Sequence, residues 1–174
     1  MRRDQGFTLL ELVVTLSVVA VLLLMAGPSF REYVLNQELR AAAARLASDF
    51  RWARQSAVDR GGRVVVCPGS VSSGCRATPE WGSGWIVFHD HNGDRRLAPD
   101  EELLRETPAL EGVSARSNLA RRQLSFFPNG TAPGSNLTIR LCDVRGPNHA
   151  RQVRVGLSGR IRSLRVGEGA DPGC

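Results

Sequence analysis

The sequence predicts an α+β protein in which a long N-terminal helix, membrane-spanning in its first half, packs on an antiparallel β-sheet head. Three observations carry that expectation. Residues 7–26 form an apolar stretch with one charge, Glu11. Residues 29–59 repeat their apolar side chains at helical spacing. From Arg63 onward the chain breaks into short apolar runs separated by Gly, Pro and Asn. At 174 residues there is room for one folded domain and an appendage.

The first stretch is long enough for a helix crossing about 30 Å of hydrocarbon. Arg2 and Arg3 precede it, and a basic flank keeps the N-terminus in the cytoplasm. A cleaved secretory signal would end in a small-residue cleavage site and would not hold a carboxylate inside its apolar run. Glu11 is therefore the discriminating residue. An ionised side chain in a membrane helix costs up to about 3 kcal/mol and asks for a positive partner. The helix itself supplies none.

Gly27-Pro28 is a point where the helix can kink, because proline lacks a backbone donor. Beyond it, Leu39, Ala43, Leu46, Phe50, Ala53 and Ala57 step by 4, 3, 4, 3 and 4. Arg40, Arg51 and Arg54 fall off that stripe, so one face packs on a sheet and the other meets water. Gly61-Gly62 stops the helix. Strands are expected at 64–67, 85–89, 102–106, 123–127, 137–142, 152–157 and 161–166. Leu137, Ile139 and Leu141, and again Val153, Val155 and Leu157, alternate with polar residues, which means antiparallel strands with one buried face. Trp81 and Trp85, on either side of a Gly-Ser-Gly turn, are expected in the core rather than stacked on bases.

Four cysteines, Cys67, Cys75, Cys142 and Cys174, are an even number without a CxxC or zinc spacing, which favours disulfides in an oxidising compartment. Of the three possible pairings, the expected one joins neighbours along the chain, Cys67 with Cys75 and Cys142 with Cys174. The second would anchor a Gly-rich C-terminus that otherwise frays.

All 23 basic residues are arginine, against 17 acidic ones. Residues 1–79 carry a net +4, residues 80–111 a net −5, and residues 112–174, with ten arginines and three acids, a net +7. A strongly basic last third points to an anionic partner. His89, His91 and His149 have no nucleophile pattern beside them, and GxSxG, HExxH and P-loop motifs are lacking, so the chain reads as a non-enzyme without cofactor or metal. Asp90, Asn92, Asp94 and Glu101 fall at positions 1, 3, 5 and 12 of a calcium loop, but position 6 is Arg95 where glycine is needed, and a tight turn explains Asn92-Gly93 equally well.

The run Gly6-Phe7-Thr8-Leu9-Leu10-Glu11-Leu12 resembles the cleavage and methylation motif of type IV prepilins and type II secretion pseudopilins. The resemblance implies a leader of residues 1–6 removed by prepilin peptidase after Gly6, N-methylation of the new terminus at Phe7, and assembly in which Glu11 pairs with the terminal amine of a neighbouring subunit. The missing cation would then lie in another chain. It further implies a type IV pilin-like organisation: residues 7–28 as the transmembrane half of the helix, 29–62 as its amphipathic half, and 63–174 as a periplasmic head. Such a subunit sits in the inner membrane, with its N-terminus cytoplasmic, before joining other major and minor pilins in an extracellular pilus.

Val66-Cys67-Pro68, Cys75, the run Trp81-Gly82-Ser83-Gly84-Trp85-Ile86-Val87-Phe88, then Asp90-His91-Asn92-Gly93-Asp94 and Glu101-Glu102-Leu103-Leu104-Arg105, resemble the GspH/FimT family of minor pilins. Within it, Ser158-Gly159-Arg160-Ile161-Arg162 is similar to the Gly-Arg-x-Arg motif linked, in FimT-type minor pilins, to binding of double-stranded DNA during natural transformation. A physical argument supports that reading. If Val153, Val155 and Leu157 face the core, Arg154 points outward, and a loop at 158–160 pairs Leu157 with Ile161 and puts Arg162 on Arg154's face. A two-residue loop would instead bury Arg160 and Arg162, which is costly for unpaired charge. Arg160 at the tip, backed by Arg162 and Arg154 with Arg151 and Arg165 nearby, would form a set of guanidinium forks suited to phosphate oxygens. Arg95 and Arg96, in the acidic segment, are expected to contribute little. Two other functions share the same fold: a structural minor pilin that primes or caps a filament, and a type II secretion pseudopilin of GspH type.

Overall fold

The computed structural model describes residues 8–134, 136–166 and 174, without the side chains of residues 24–29. Gly6 and Phe7 lie outside the described residues, as do residues 167–173. The chain divides into two compact units, Met1–Gln37 and Glu38–Cys174.

The first unit holds the N-terminal part of helix α1 (Leu9–Arg60), whose backbone stays helical across Gly27-Pro28. Thr8 caps the start through its Oγ1, which accepts the Glu11 N–H at 3.3 Å. Glu11 is exposed in the first turn, where a carboxylate suits the helix dipole. Among the described residues no helix is long and apolar enough to cross a membrane. The expected span runs from Phe7 to Ala26, and both of its ends fall among residues or side chains that are not described.

The second unit is built on two antiparallel sheets and the rest of α1. Strands β1 (Arg63–Ser70), β2 (Gly74–Cys75), β3 (Trp85–Asp90), β4 (Leu103–Thr107) and β6 (Leu124–Phe126) make one sheet in the order β2-β1-β3-β4, with β6 on β1. Strands β5 (Ser114–Ser117), β7 (Leu137–Cys142), β8 (Arg151–Val155) and β9 (Ile161–Arg165) make the other, in the order β5-β7-β8-β9. A 3-10 turn at Pro147–His149 joins β7 to β8.

The sequence patterns explain how the layers meet. The helical stripe from Leu39 to Ala57 is buried throughout, and it packs with Val64, Val66, Trp85 and Val87 of the first sheet and Ile139, Leu141, Val153 and Val155 of the second. Helix and both sheets therefore share one core, with Trp81 and Trp85 fully inside it. The first sheet has a second apolar face, Val65, Cys67, Ile86 and Phe88, covered by Leu97 and Leu103. Burial on both faces is why β1 and β3 read as unbroken apolar runs, whereas β7 and β8 alternate.

A buried carboxylate stands against this core. Asp49, 4% exposed, stands on the buried side of α1. Its Oδ2 accepts the Trp85 indole N–H at 3.0 Å and the Thr107 hydroxyl at 2.8 Å, while Oδ1 accepts Arg105 Nη1 at 2.7 Å. The Arg105 guanidinium in turn lies 4.3 Å over the Trp52 ring. A single helical carboxylate thus binds β3 and β4 by three hydrogen bonds and balances its own charge.

Cys67 pairs with Cys75 and Cys142 with Cys174, with Cα separations of 5.5 and 5.9 Å. The first clips β2 to β1; the second ties the last residue to β7. In the segment with calcium-loop spacing the side-chain oxygens accept from backbone: Asp90 accepts the Gly93 N–H, Asn92 the Asp94 N–H, Asp94 the Arg96 N–H, and Glu101 those of His91 and Ala98. Among the described residues no group of His, Cys, Asp and Glu is arranged to hold a metal.

Asp49→Ala is expected to lower stability by about 3 kcal/mol, since it strands an arginine and two buried donors. Thr107→Val, which removes one bond, should cost about 1 kcal/mol. Urea unfolding followed by tryptophan fluorescence checks both, and equal effects would show that Asp49 is not a shared anchor. Loop entropy gives roughly 2.5 kcal/mol for the Cys67–Cys75 ring and roughly 4 kcal/mol for the Cys142–Cys174 ring. The paired Ser variants should therefore rank in that order in the same assay.

Candidate nucleic-acid interface

The second sheet has one buried face, so its alternate residues form an outer face. Arg154 of β8 is the direct cross-strand partner of Arg162 of β9, and both are exposed. The Gly156 N–H to Arg160 C=O bond at 3.0 Å and the Val166 N–H to Ala150 C=O bond at 3.0 Å flank this ladder. Their spacing makes Arg154 and Arg162 a hydrogen-bonded pair, with Cα atoms about 5.5 Å apart and side chains on one face. Thr138 of β7 continues that row, and Arg140, Gln152 and Leu164 make the next. Arg140 is itself the cross-strand partner of Arg116 on β5.

Like charges directly opposite each other destabilise a sheet by roughly 0.2–1 kcal/mol per pair. The second sheet nevertheless contains three such pairs: Arg116 with Arg140, Arg154 with Arg162, and Arg151 with Arg165. Arg116 is relieved by an ion pair with Glu80. Among the described residues no carboxylate pairs with Arg154, Arg160 or Arg162, and β9 is the open edge of its sheet. The outer face of this sheet therefore concentrates positive charge.

The hairpin differs from the sequence expectation in its turn. The pairing is Val155 with Ile161, so the three-residue connection is 157–159 rather than 158–160. Gly159, at φ +72, closes it by donating its N–H to the Gly156 C=O at 2.9 Å. In a three-residue hairpin the left-handed glycine comes last, and reading Gly159 as the middle residue caused the slip. Leu157 leaves the core for the turn and is 58% exposed. Because the register moves by two residues, the faces are kept and Arg162 still shares Arg154's side.

Arg151 and Arg165 correct the expected set in another way. They pair with each other on the same side as Val153 and Val155, the opposite side from Arg154 and Arg162. Arg151 is half-buried there, and burial, with the positive charges of Arg165 and Arg40, pulls its pKa below the ordinary arginine value. It remains charged at neutral pH but stands apart from the outer face.

Gly159 owes its identity to packing. A Cβ there would meet the Gly130 carbonyl oxygen at 2.0 Å and Arg54 Nε at 2.9 Å. Arg54 Nε donates to that same Gly130 carbonyl at 2.7 Å, and Ala132 N–H to the Leu157 C=O at 2.9 Å. The hairpin tip is therefore seated on the 127–132 turn, with the Arg54 guanidinium from α1 wedged beside it. Arg54 was visible in the sequence only as a residue off the apolar stripe, and nothing there linked it to the hairpin.

Comparisons with known proteins agree with this architecture. Residues 42–159 match the family described as Type II transport protein GspH, and residues 1–27 match the prokaryotic N-terminal methylation motif. Pilin-like protein PilA1 of Thermus thermophilus is 32% identical over 167 residues, covering 91% of this chain and 97% of that protein. The type IV minor pilin FimU of Pseudomonas aeruginosa has a TM-score of 0.60 at 22% identity, over 76% of this chain and 92% of that structure. The minor pseudopilin EpsH of the Vibrio cholerae Type 2 Secretion System has a TM-score of 0.54 at 15% identity, over 75% of this chain and 99% of that structure. The two structures share the fold: a helix packed on antiparallel sheets. Sequence match, methylation motif and fold together make the chain a member of the GspH family, within the GspH/FimT-type minor pilins and pseudopilins.

Proposed function

We propose that this minor pilin binds double-stranded DNA without sequence preference through the outer face and tip of the β8–β9 hairpin, as a FimT-type subunit serving DNA uptake in natural transformation. The observation that carries the reading is the Arg154–Arg162 cross-strand pair with Arg160 directly after the turn, three exposed arginines without a carboxylate partner among the described residues. Such a set costs self-repulsion in the free protein and recovers it when phosphates arrive. Guanidinium groups on a sheet edge reach backbone phosphates, which carry no base information, so the binding is independent of sequence. Gly159 serves by letting the tip sit on Gly130; Arg151 and Arg165, on the other side of the hairpin, add long-range attraction rather than contact.

The remainder of the reading concerns assembly. The GspH-type family is structural rather than enzymatic, and the methylation motif marks a membrane-anchored component of a pilus or pseudopilus that associates with other pilins. We infer that prepilin peptidase removes residues 1–6, that Phe7 becomes N-methylated, that residues 7–28 hold the subunit in the inner membrane with the head in the periplasm, and that Glu11 pairs with the terminal amine of a neighbouring pilin. No cation among the described residues pairs with Glu11, which supports an intermolecular partner. A purely secretory or structural role, as a GspH-type pseudopilin, is favoured by the family match over residues 42–159 and is the reading that stands if DNA binding fails.

Two outcomes test these points. Mass spectrometry of the mature protein should find a chain beginning at N-methylated Phe7; an intact Met1 terminus, or cleavage near Ala26, would contradict the assembly reading. DNA affinity measured against salt should show a contribution of about −2.7 to the slope of log K on log salt from three hairpin phosphates. Arg160→Ala with Arg162→Ala should make the slope shallower by roughly 2. Equal binding by the wild-type and double-variant proteins at low salt would leave the structural pilin as the better description.

A further inference from the structure

The turn that seats the hairpin also borders a second basic cluster. Gly134, two residues beyond Ala132, lines an open pocket of about 380 Å3 together with Arg95, Arg121 and Arg122. Two residues of chain span at most about 7 Å, so the pocket adjoins the hairpin's seat. Among the described residues that line it there are three arginines and no carboxylate. The acidic neighbour in sequence, Asp94, is engaged in accepting the Arg96 N–H at 2.7 Å.

The walls of the pocket are held in place by backbone contacts. Arg122 donates from Nη1 to the Ala77 C=O at 2.9 Å and from Nε to the Leu119 C=O at 3.4 Å. Gln123 donates its side-chain amide to the Arg95 C=O at 3.3 Å, bringing the 94–96 turn against the 119–123 segment. Arg95 itself sits at φ +63, a conformation few non-glycine residues adopt. Arg95 belongs to the acidic segment by sequence, and its N–H donates to Asp90 Oδ1 at 3.4 Å, yet it also lines this pocket with Arg121 and Arg122. None of the three has an ion pair among the described residues.

We propose that Arg95, Arg121 and Arg122 form a second phosphate-contacting cluster, so that a DNA duplex engages the head along a track from the β8–β9 hairpin, past the 127–134 turn, to this pocket. The inference rests on the DNA reading above and extends it. A duplex presents one charge per about 1.7 Å of axis, so a basic cluster this close to the hairpin meets phosphates without any sequence requirement. The cluster also gives the ligand a direction across the head, which a lone hairpin does not.

The test uses the full chain in non-ionic detergent micelles with a short labelled duplex, and follows affinity over a range of salt. Arg95→Gln with Arg121→Gln should make the slope of log K on log salt shallower by about 1.8, for two phosphates. If that variant matches the wild type while Arg160→Ala with Arg162→Ala weakens binding, the second cluster is wrong and the hairpin reading stands. If neither variant changes binding, both fall. A measurement on the unmodified wild type guards against misfolding of the variant: labelling with an arginine-selective dicarbonyl, read by mass spectrometry. DNA should protect Arg95 and Arg121 along with Arg160 and Arg162, leaving Arg60, which is paired with Glu102, unchanged. Undiminished labelling of Arg95 and Arg121 under saturating DNA would overturn the proposal.

Discussion

The architecture depends on one buried carboxylate. Asp49 is placed by the helix among Leu46, Phe50 and Ala53, where an uncompensated charge would be prohibitive. It is tolerated because Trp85, Arg105 and Thr107 reach it from two adjacent strands. The arrangement sets the position of α1 over the first sheet in a way that apolar contact alone, being non-directional, does not. Once α1 is fixed there, its apolar stripe supplies Leu39, Ala43 and Leu46 to the core shared with the second sheet. Arg54, farther along the same helix, can then reach Gly130 and the hairpin tip. A polar contact in the core and the arginines on the surface are linked through the rigidity of one helix.

Much of this could be read from residues alone, for identifiable reasons. The 4-3 stripe from Leu39 to Ala57 named the buried face of α1, and the alternation in β7 and β8 named the buried face of the second sheet. Both are periodic signals sustained over several residues. Strands β2 and β5 were not legible: one is two residues long and the other, Ser-Ala-Arg-Ser, offers a single apolar side chain. Asp49 was silent because a carboxylate on a helix normally reads as solvent-facing, and only the tertiary partners reveal otherwise. The hairpin was misregistered because one glycine can serve at more than one loop position; its seat on Gly130 decides which. Charge by sequence block is an incomplete guide to charge in space: Arg95 stays bonded to Asp90 in the acidic segment and also lines a pocket with Arg121 and Arg122.

The surface chemistry follows from how a one-sided sheet is used. A face with no layer against it is available for function, and strands hold its side chains at fixed spacing of about 6.8 Å between alternate residues. Arginine on such a scaffold loses less freedom on binding than arginine in a mobile tail. The cost is local repulsion between Arg154 and Arg162, which a stable core tolerates. Gly159 and Gly130 permit the close approach that keeps Arg160 beside that pair. Membership of a family with a common fold explains the helix and sheets; the arginine face rests on the residues at 154, 160 and 162.

The central claim is that DNA lies on the outer face of β8 and β9. It is tested most directly by photocrosslinking with every arginine left intact. A photoreactive side chain replacing Leu164, which is 42% exposed beside Arg162, is compared with one replacing Val71, 51% exposed in the turn between β1 and β2. The account requires a crosslink from position 164 to a labelled duplex that salt abolishes, and none from position 71. Crosslinking of equal yield at the two positions, or from position 71 alone, would contradict it.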